Sequence, residues 1–280
     1  AFDILLTLTF RSGLNLEECK IPENANSMEI PELHKLFLIN GKIGTDTRKI
    51  EPGSIFFALR GENFDGSDFI DEAFSKGAAW AVTQSDKYTG ARIIRVDDVL
   101  VTLQQLAAFH RVSTGMKILA ITGSNGKTTT KELCREVLSS KYKVFATQGN
   151  LNNHIGVPLT LLSMNDPSAV GIVEMGANHP GEIAFLCNIA RPDYGLITNI
   201  GKAHLEGFGG IEGVARTKGE LFGFLEANSG TLIVNEGNDF VKGLVRDDTS
   251  NVMRYNGDGK IRPVNIRNSL LLEFDAVFED

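Results

Sequence analysis

Between Ile118 and Thr130 a short apolar run breaks at Gly123 and continues as Ser124, Asn125, Gly126, Lys127, Thr128, Thr129 and Thr130. These residue types suit a bound phosphate. Glycines let the main chain approach the phosphate oxygens, Lys127 can reach the β and γ groups, and the Thr128 hydroxyl can hold Mg²⁺. From Thr130 onward, Leu133, Cys134, Val137 and Leu138 recur at i, i+3, i+4, i+7 and i+8, the spacing of one helix face. Lys131, Glu132, Arg135 and Glu136 fall on the other face. The stretch predicts a strand, a glycine turn and a helix whose first amides face an anion. It is shorter than the common Gly-x-x-x-x-Gly-Lys-Thr loop, because Ile121 stands where that pattern needs its first glycine. A tight turn bearing a surface lysine is the alternative.

Further polar groups fall just past predicted strands. Glu174 follows Val170–Val173 and is a hard oxygen donor suited to Mg²⁺. Glu182 fits the alternative role, capping the next helix, better than Glu174 does. Asn199 and His204 follow the strand Tyr194–Ile200, and Asn235 follows Thr231–Val234. In the helix Gly213–Leu225, Lys218 shares a stripe with Val214, Leu221, Phe222 and Leu225. An inward lysine must be paired or lose its charge, and a neutral amine can add CO₂ to become an anionic carbamate. Snorkelling to solvent is the competing reading for Lys218. The loop Gln148–Pro158 carries Asn150, Asn152 and Asn153, which serve turns or aim amides at a peptide or sugar.

The elements that must position these groups are alternating helices and strands. Ligand groups at successive strand ends are what a mostly parallel α/β sheet with one crevice predicts. Upstream, Thr45, Asp46, Thr47 and Arg48 offer hydroxyls, a carboxylate and a guanidinium. That set suits a uracil edge and a diphosphate, or else a capped turn with Arg48 at the surface. Strands at Ser54–Leu59 and Ala78–Val82 flank a helix ending near Lys76, which makes a small α/β unit. Asp86–Arg95 reads as a junction. Val99, Leu103, Leu106 and Phe109 form the face of the next helix, with His110 as a cap or surface residue at its end. Arg246–Arg267 is polar with two glycine turns, and Leu270–Phe278 is a last apolar patch.

The 280 residues suggest about two domains, and 42% hydrophobic against 22% charged residues is enough for a real core. A net charge of −7 argues against a general nucleic-acid binder. Cys19, Cys134 and Cys187 have neither disulfide nor zinc spacing, which favours a reducing cytoplasm. No apolar run reaches the ~20 residues of a membrane span, and Ala1–Phe10 lacks the basic start of a signal peptide.

The loop Thr-Gly-Ser-Asn-Gly-Lys-Thr-Thr resembles that of the Mur ligases, ATP-dependent amide-forming enzymes of peptidoglycan synthesis. Asp46-Thr-Arg48, Pro52-Gly53, Phe57-Ala-Leu-Arg-Gly-Glu62 and Asp65-Gly-x-Asp-Phe69 resemble the family's UDP-sugar-binding domain. The resemblance adds Gly61, Asn63, Asp65, Gly66 and Asp68 to the substrate residues, while Ser67 stands where His is frequent. Gly149-Asn-Leu-Asn-Asn-x-Ile-Gly-Val-Pro158 resembles the branch that adds D-Ala-D-Ala to UDP-N-acetylmuramoyl-tripeptide, and it implicates Asn152 and Asn153 in substrate binding. The resemblance implies ATP at Gly123–Thr129 with Asn199 and Asn235. It implies Mg²⁺ held by Thr128, Glu174 and His204, a carbamylated Lys218, and catalytic roles for Lys127, Lys218 and His204.

The expected architecture is therefore an unassigned segment at 1–27, a UDP-sugar-binding α/β domain at 28–85, and a P-loop-type parallel-sheet ATPase domain at 86–280. The similarity runs from Met28 to about Asn238. The family's third, Rossmann-like carboxyl-terminal domain has no counterpart, and the central domain is expected to be cut short. The expectation is a cytoplasmic monomer that binds nucleotides and, in this form, ligates weakly or not at all. The rivals are a diamino-acid-adding Mur-type ligase, a folylpolyglutamate synthetase, a non-catalytic UDP-sugar and ATP binding fragment, and a P-loop kinase or GTPase. The short loop and Glu174 disfavour the last.

Overall fold

An apolar run without alternation predicts a strand buried on both faces, and β5 (Lys117–Thr122) is one, with Ile118 to Thr122 all buried. In the structure, a computed structural model, residues 28–201, 208–256, 261–268 and 272–278 are described, the last two segments by their main chain. The segment 1–27 and His204 lie outside the described residues.

The chain begins with α1 (Ile30–Asn40) and β1 (Ile43–Gly44), then β2 (Ile55–Phe57), α2 (Ile70–Ser75), β3 (Trp80–Thr83) and β4 (Ile93–Arg95). These strands form a four-stranded sheet in the order β1-β2-β3-β4, parallel throughout. The stretch read as a junction thus ends in a strand of this first sheet, which runs to Arg95, past the boundary expected at 85/86. The helix α3 (Val99–Thr114) follows, with Asp98 Oδ1 accepting from Val101 N as its cap. After β5 come α4 (Lys127–Ser139), β6 (Val144–Ala146), α5 (Gly156–Leu162), β7 (Val170–Glu174), α6 (Glu182–Ala190) and β8 (Tyr194–Ile197). Then α7 (Ile211–Ala227), β9 (Thr231–Asn235), α8 (Asp239–Lys242), β10 (Val252–Tyr255), β11 (Ile261–Asn268) and β12 (Leu272–Phe278) complete the order. The second sheet runs β12-β11-β10-β9-β8-β5-β7-β6, parallel except for the β11–β12 pair. The polar tract at 246–267 therefore contains two strands that its composition hid.

Helix α3 is shared between the two sheets, since it packs on α1 as well as on α5 and α6. One apolar cluster accordingly runs from Leu33 and Phe37 through Leu103 and Leu106 to Ile183 and Leu221. The inward stripe of α3 is Val99, Leu103, Leu106 and His110, not Phe109, which is 37% exposed. At ~100° per residue, position 110 falls almost in line with 99, whereas 109 swings off the stripe. His110 is thus a core residue rather than a cap. Its Nε2 lies 2.7 Å from the Met164 carbonyl and must donate to it. Its Nδ1 then accepts from His34 Nε2 at 3.0 Å, which ties α1 to α3. Arg111 is also buried and donates to the carbonyls of Ala190 and Arg191 and to Asp193.

The His34–His110 relay requires both rings neutral, because a proton on His110 Nδ1 would face the His34 N–H. Burial, with the charge of His110 second, lowers His34 from 6.5 to about 4, and burial also lowers His110. The unfolded rings titrate near ~6.5, so the unfolded chain binds the extra protons as pH falls from about 6.5 toward about 4, and stability is lost across that window. Carboxylates such as Asp46 and Asp65, held at about 2, act at lower pH. The thermal midpoint should therefore drop between pH 7 and pH 5, and His34→Leu should reduce that drop; an equal slope in the variant would disprove the coupling.

Candidate active site

Gly123 leaves β5 with φ +145, and a Cβ there would collide with Thr198 Oγ1. Only glycine lets the loop lie this close to the end of β8. The loop is then fastened along that edge. Ser124 N donates to Asn199 O, and Asn125 N donates to Asn199 Oδ1 at 3.1 Å. Asn199 Nδ2 and Thr198 Oγ1 both donate to Asn125 O. Asn199 therefore clamps the loop, and its side chain is committed to the main chain of Asn125. Gly126 takes φ +74 and hands over to α4, which starts at Lys127.

The Lys127 ammonium folds back on the loop, donating to Gly123 O at 2.8 Å and Ser124 O at 3.3 Å. Burial lowers its pKa, and Glu174 opposes that shift. Thr128 Oγ1 donates to Glu174 Oε2 at 3.0 Å, while Asn152 Nδ2 donates to Glu174 Oε1 at 2.9 Å. Glu174 itself is 2% exposed at the carboxyl end of β7. Asn153 Oδ1 accepts from Ile155 N and Gly156 N, so it caps the start of α5 while lining the cavity.

That cavity, about 330 Å³, is lined by Gly123, Lys127, Asn152, Asn153, Lys218 and Phe185 among others. Lys218 is on the α7 stripe as its spacing requires, 3% exposed, so it does not snorkel. Among the described residues its Nζ makes one long contact, to Ala177 O at 3.5 Å, and lies 5.5 Å from the Phe208 ring centroid. Burial, then the charge of Lys127, lowers its pKa from 10.5 to about 8. Glu182, which also lines the cavity, accepts from Asn178 N and His179 N in the loop before α6 rather than capping the helix; the amides of Gly181 and Ala184 at the helix start donate to Glu220 instead.

The donor set fits Mg²⁺. A buried carboxylate and a hydroxyl in contact are hard oxygen ligands, and Mg²⁺ is commonly held by one or two carboxylates plus substrate phosphates. Among the described residues no group of three or more His, Cys, Asp or Glu side chains could hold a metal alone. Asn235 lies apart from this cavity, with its Oδ1 accepting from Gly237 N and Asn256 Nδ2. Thr129 is exposed on the first turn of α4.

The expected helix face of α4 is rotated. Leu133 is 63% exposed and Val137 71%, whereas Lys131 is buried at 1% and Cys134 and Leu138 pack on the sheet. The inward row is Lys127, Lys131, Cys134 and Leu138, at i, i+4, i+7 and i+11. Aiming Lys127 at the loop sets this rotation, and Lys131 follows one turn later.

The second group of expected residues surrounds a separate cavity of about 550 Å³ lined by Thr45, Asp46, Thr47, Arg48, Gly66, Phe64, Phe69 and Glu72. Arg48 donates to Asp46 at 2.8 Å, and that bond holds Asp46 down at about 2. Asp65 accepts from Ser67 N and from Arg60 and is likewise held at about 2. A Cβ at Gly66 would strike the main chain of Ala58 and Leu59, so the loop can close there only with glycine. Gly61 closes the turn by donating to Phe64 O. Asn63 is exposed, and Asp68 pairs with Lys87. The two aromatic rings, Phe64 and Phe69, were not singled out from the sequence; each stands next to a polar residue that was.

Residues 121–272 match the Mur ligase middle domain, and residues 41–111 match a second domain described as "Mur ligase family, catalytic domain". The UDP-N-acetylmuramoyl-tripeptide--D-alanyl-D-alanine ligase of Bacillus subtilis is 43% identical over 194 residues, 68% of this chain and 42% of the relative. The Escherichia coli enzyme of the same name is 41% identical over 199 residues, 71% of this chain and 44% of the relative. A crystal structure of MurF from Acinetobacter baumannii superposes with TM-score 0.75 at 34% identity, covering 85% of this chain and 53% of that one. MurF from Thermotoga maritima in complex with ADP gives TM-score 0.71 at 31% identity, covering 85% and 56%. The chain thus spans about half the length of the relatives it matches. With more than half of its residues inside the middle-domain match and its fold shared with solved members, the chain belongs to the Mur ligase family.

Proposed function

We propose that this protein takes part in the ATP-dependent joining of D-Ala-D-Ala to UDP-N-acetylmuramoyl-tripeptide, the activity named for its relatives. The observation that carries this reading is the contact of Thr128 and Asn152 with Glu174, behind a cavity that also receives Lys127 and Lys218. The phosphates of ATP would sit against the amides at the start of α4, in the charge field of Lys127. Mg²⁺ on Thr128 and Glu174, with His204 toward a second ion, would supply neutralisation of the phosphate charge. The acceptor carboxylate attacks the γ-phosphorus, giving an acyl phosphate and ADP, and the amine of the dipeptide then displaces phosphate to form the amide. Lys127 and the loop amides stabilise the charge that builds on the transferring group. Asn152 and Asn153 border the space where the acceptor end would lie.

The cavity at Thr45–Arg48 is the seat we assign to the uridine diphosphate. Phe64, 57% exposed, and Phe69, 41% exposed, offer faces to a base. Arg48 can exchange its exposed bond to Asp46 for a diphosphate, where bidentate pairing is strong. Lys218, with a pKa of about 8 and, among the described residues, one long hydrogen bond, is neutral often enough near neutral pH to add CO₂. The resulting carbamate would place anionic oxygens beside the nucleotide.

Lys127→Ala should abolish ADP and ATP binding in calorimetry while leaving the thermal midpoint near wild type; unchanged affinity would sink the nucleotide site. Arg48→Ala should weaken UDP-N-acetylmuramoyl-tripeptide binding without affecting ADP, and the reverse pattern would remove the diphosphate from this cavity. Phosphate release that depends on D-Ala-D-Ala, with mass spectrometry of the product, tests the ligation; stimulation by a diamino acid instead would favour a different member of the family. With ¹³C-bicarbonate, NMR should show a carbamate signal that grows as pH rises toward 8 and is absent in Lys218→Ala. A spectrum identical for both proteins would exclude the modification.

A further inference from the structure

Lys131 is a lysine with its entire side chain inside the protein, and neither the phosphate nor the metal role accounts for it. Its Nζ donates to Thr147 O at 2.6 Å and lies 3.0 Å from Glu132 Oε1. Thr147 is itself 1% exposed, just past β6. Its Oγ1 accepts from Glu174 N at 2.9 Å, and its own N–H donates to Ile172 O. From Thr147 the chain enters the loop that delivers Asn152 to Glu174. One turn before Lys131 on the same helix, Thr128 holds the other oxygen of Glu174.

These contacts close a ring. The helix that starts the phosphate site touches Glu174 directly through Thr128 and indirectly through Lys131 and Thr147. The indirect arm fixes the main chain of Glu174 and the root of the asparagine loop, so the carboxylate cannot drift from the Thr128 hydroxyl. Burying an ammonium costs several kcal/mol unless its bonds are made, so its use on a main-chain carbonyl calls for an explanation beyond packing. An apolar side chain could fill the same space but could not hold the Thr147 carbonyl.

We propose that Lys131 and Thr147 are positioning residues that set Glu174 and Asn152 relative to Thr128 for a metal-bound nucleotide. The proposal rests on the nucleotide reading above and goes beyond it by assigning metal dependence to two residues that touch neither ligand. Removal of residues that orient a metal's ligands typically lowers metal affinity by about tenfold or more. The nucleotide alone, held by the loop amides and Lys127, should be indifferent to this arm.

Titration calorimetry of the chain with ADP, once in EDTA and once in Mg²⁺, separates the two. In Lys131→Met and in Thr147→Val, which keeps the carbonyl and loses only the Oγ1 acceptor, the gain in ADP affinity from Mg²⁺ should shrink about tenfold. Metal-free affinity should stay within about twofold of wild type. The two changes act in series, so the double variant should lose no more than the worse single one. If Lys131→Met fails to fold, Thr147→Val carries the comparison alone. An unaltered Mg²⁺ gain in either folded variant, additive losses, or an equal fall in metal-free affinity would overturn the positioning role. A wild-type chain that binds ADP in neither condition would instead overturn the nucleotide site, and the proposal with it.

Discussion

A carboxylate at 2% exposure is the constraint around which the central unit is arranged. Glu174 sits at the end of a strand buried from Gly171 onward, where an unpaired charge would cost several kcal/mol. Its two oxygens and its amide each have a partner, and each partner comes from a different segment: Thr128 from α4, Asn152 from the asparagine loop, Thr147 from the end of β6. Satisfying one carboxylate therefore fixes the mutual position of three segments. The phosphate loop is held independently on its other side, by Thr198 and Asn199 at the end of β8. The site is built between two strand ends, β7 and β8, that flank β5 in the sheet.

Much of this was legible in the sequence because the signals were local. A continuous apolar run, a glycine break and a hydroxyl-rich helix start locate the strand–loop–helix unit at 118–139 without tertiary information. The α7 stripe with Lys218 on it needed only a 3.6-residue period. What failed was orientation. The face of α4 was read as Thr130, Leu133, Cys134, Val137 and Leu138; Cys134 and Leu138 do pack on the sheet, but Leu133 and Val137 face outward and Lys131 inward, because the helix is turned to aim Lys127 at the loop. His110 looked like a helix-end cap or surface residue, and Arg111 was given no role. Their partners, the Met164, Ala190 and Arg191 carbonyls and Asp193, are far away in sequence and unreadable from it. The polar tract at 246–267 hid β10 and β11 because the hydrophobic pattern of strands this near a sheet's end is weak. Asn199 and Asn235 were right as strand-end amides, but a polar strand end serves the main chain as readily as a ligand.

The two expected domains share more than a linker. Helix α3 contributes Leu103 and Leu106 to a cluster that also contains Leu33 and Ile94 of the first unit and Leu161 and Ile183 of the second. Close packing of this kind resists independent sliding of its parts. Gln104, on the same helix, donates to the His154 carbonyl in the asparagine loop. A helix that follows the first sheet thus touches the loop that lines the cavity beside Glu174. On the proposed function, such packing would favour a set geometry between the two cavities, which a substrate anchored in one and reacting in the other needs.

The electrostatics resolve an apparent conflict between a chain of net charge −7 and the anionic substrates proposed for it. Lys127 and Lys218 face one cavity, and each is pushed toward the neutral form by burial, Lys218 also by Lys127. The neighbouring carboxylates oppose this without outweighing it: Glu174 acts on Lys127, and Glu182 and Glu220 act on Lys218. Glu220 accepts from Gly181 N and Ala184 N, and Glu182 from Asn178 N and His179 N. Both are therefore spent on the amides around the start of α6, where the helix dipole favours negative charge. Burial and mutual repulsion outweigh these carboxylates, so the two ammonium groups keep their attraction for an anion that enters. A phosphate, an acceptor carboxylate or a carbamate on Lys218 would each relieve the same repulsion. Local placement of charge, not its sum over the chain, decides what this cavity can bind.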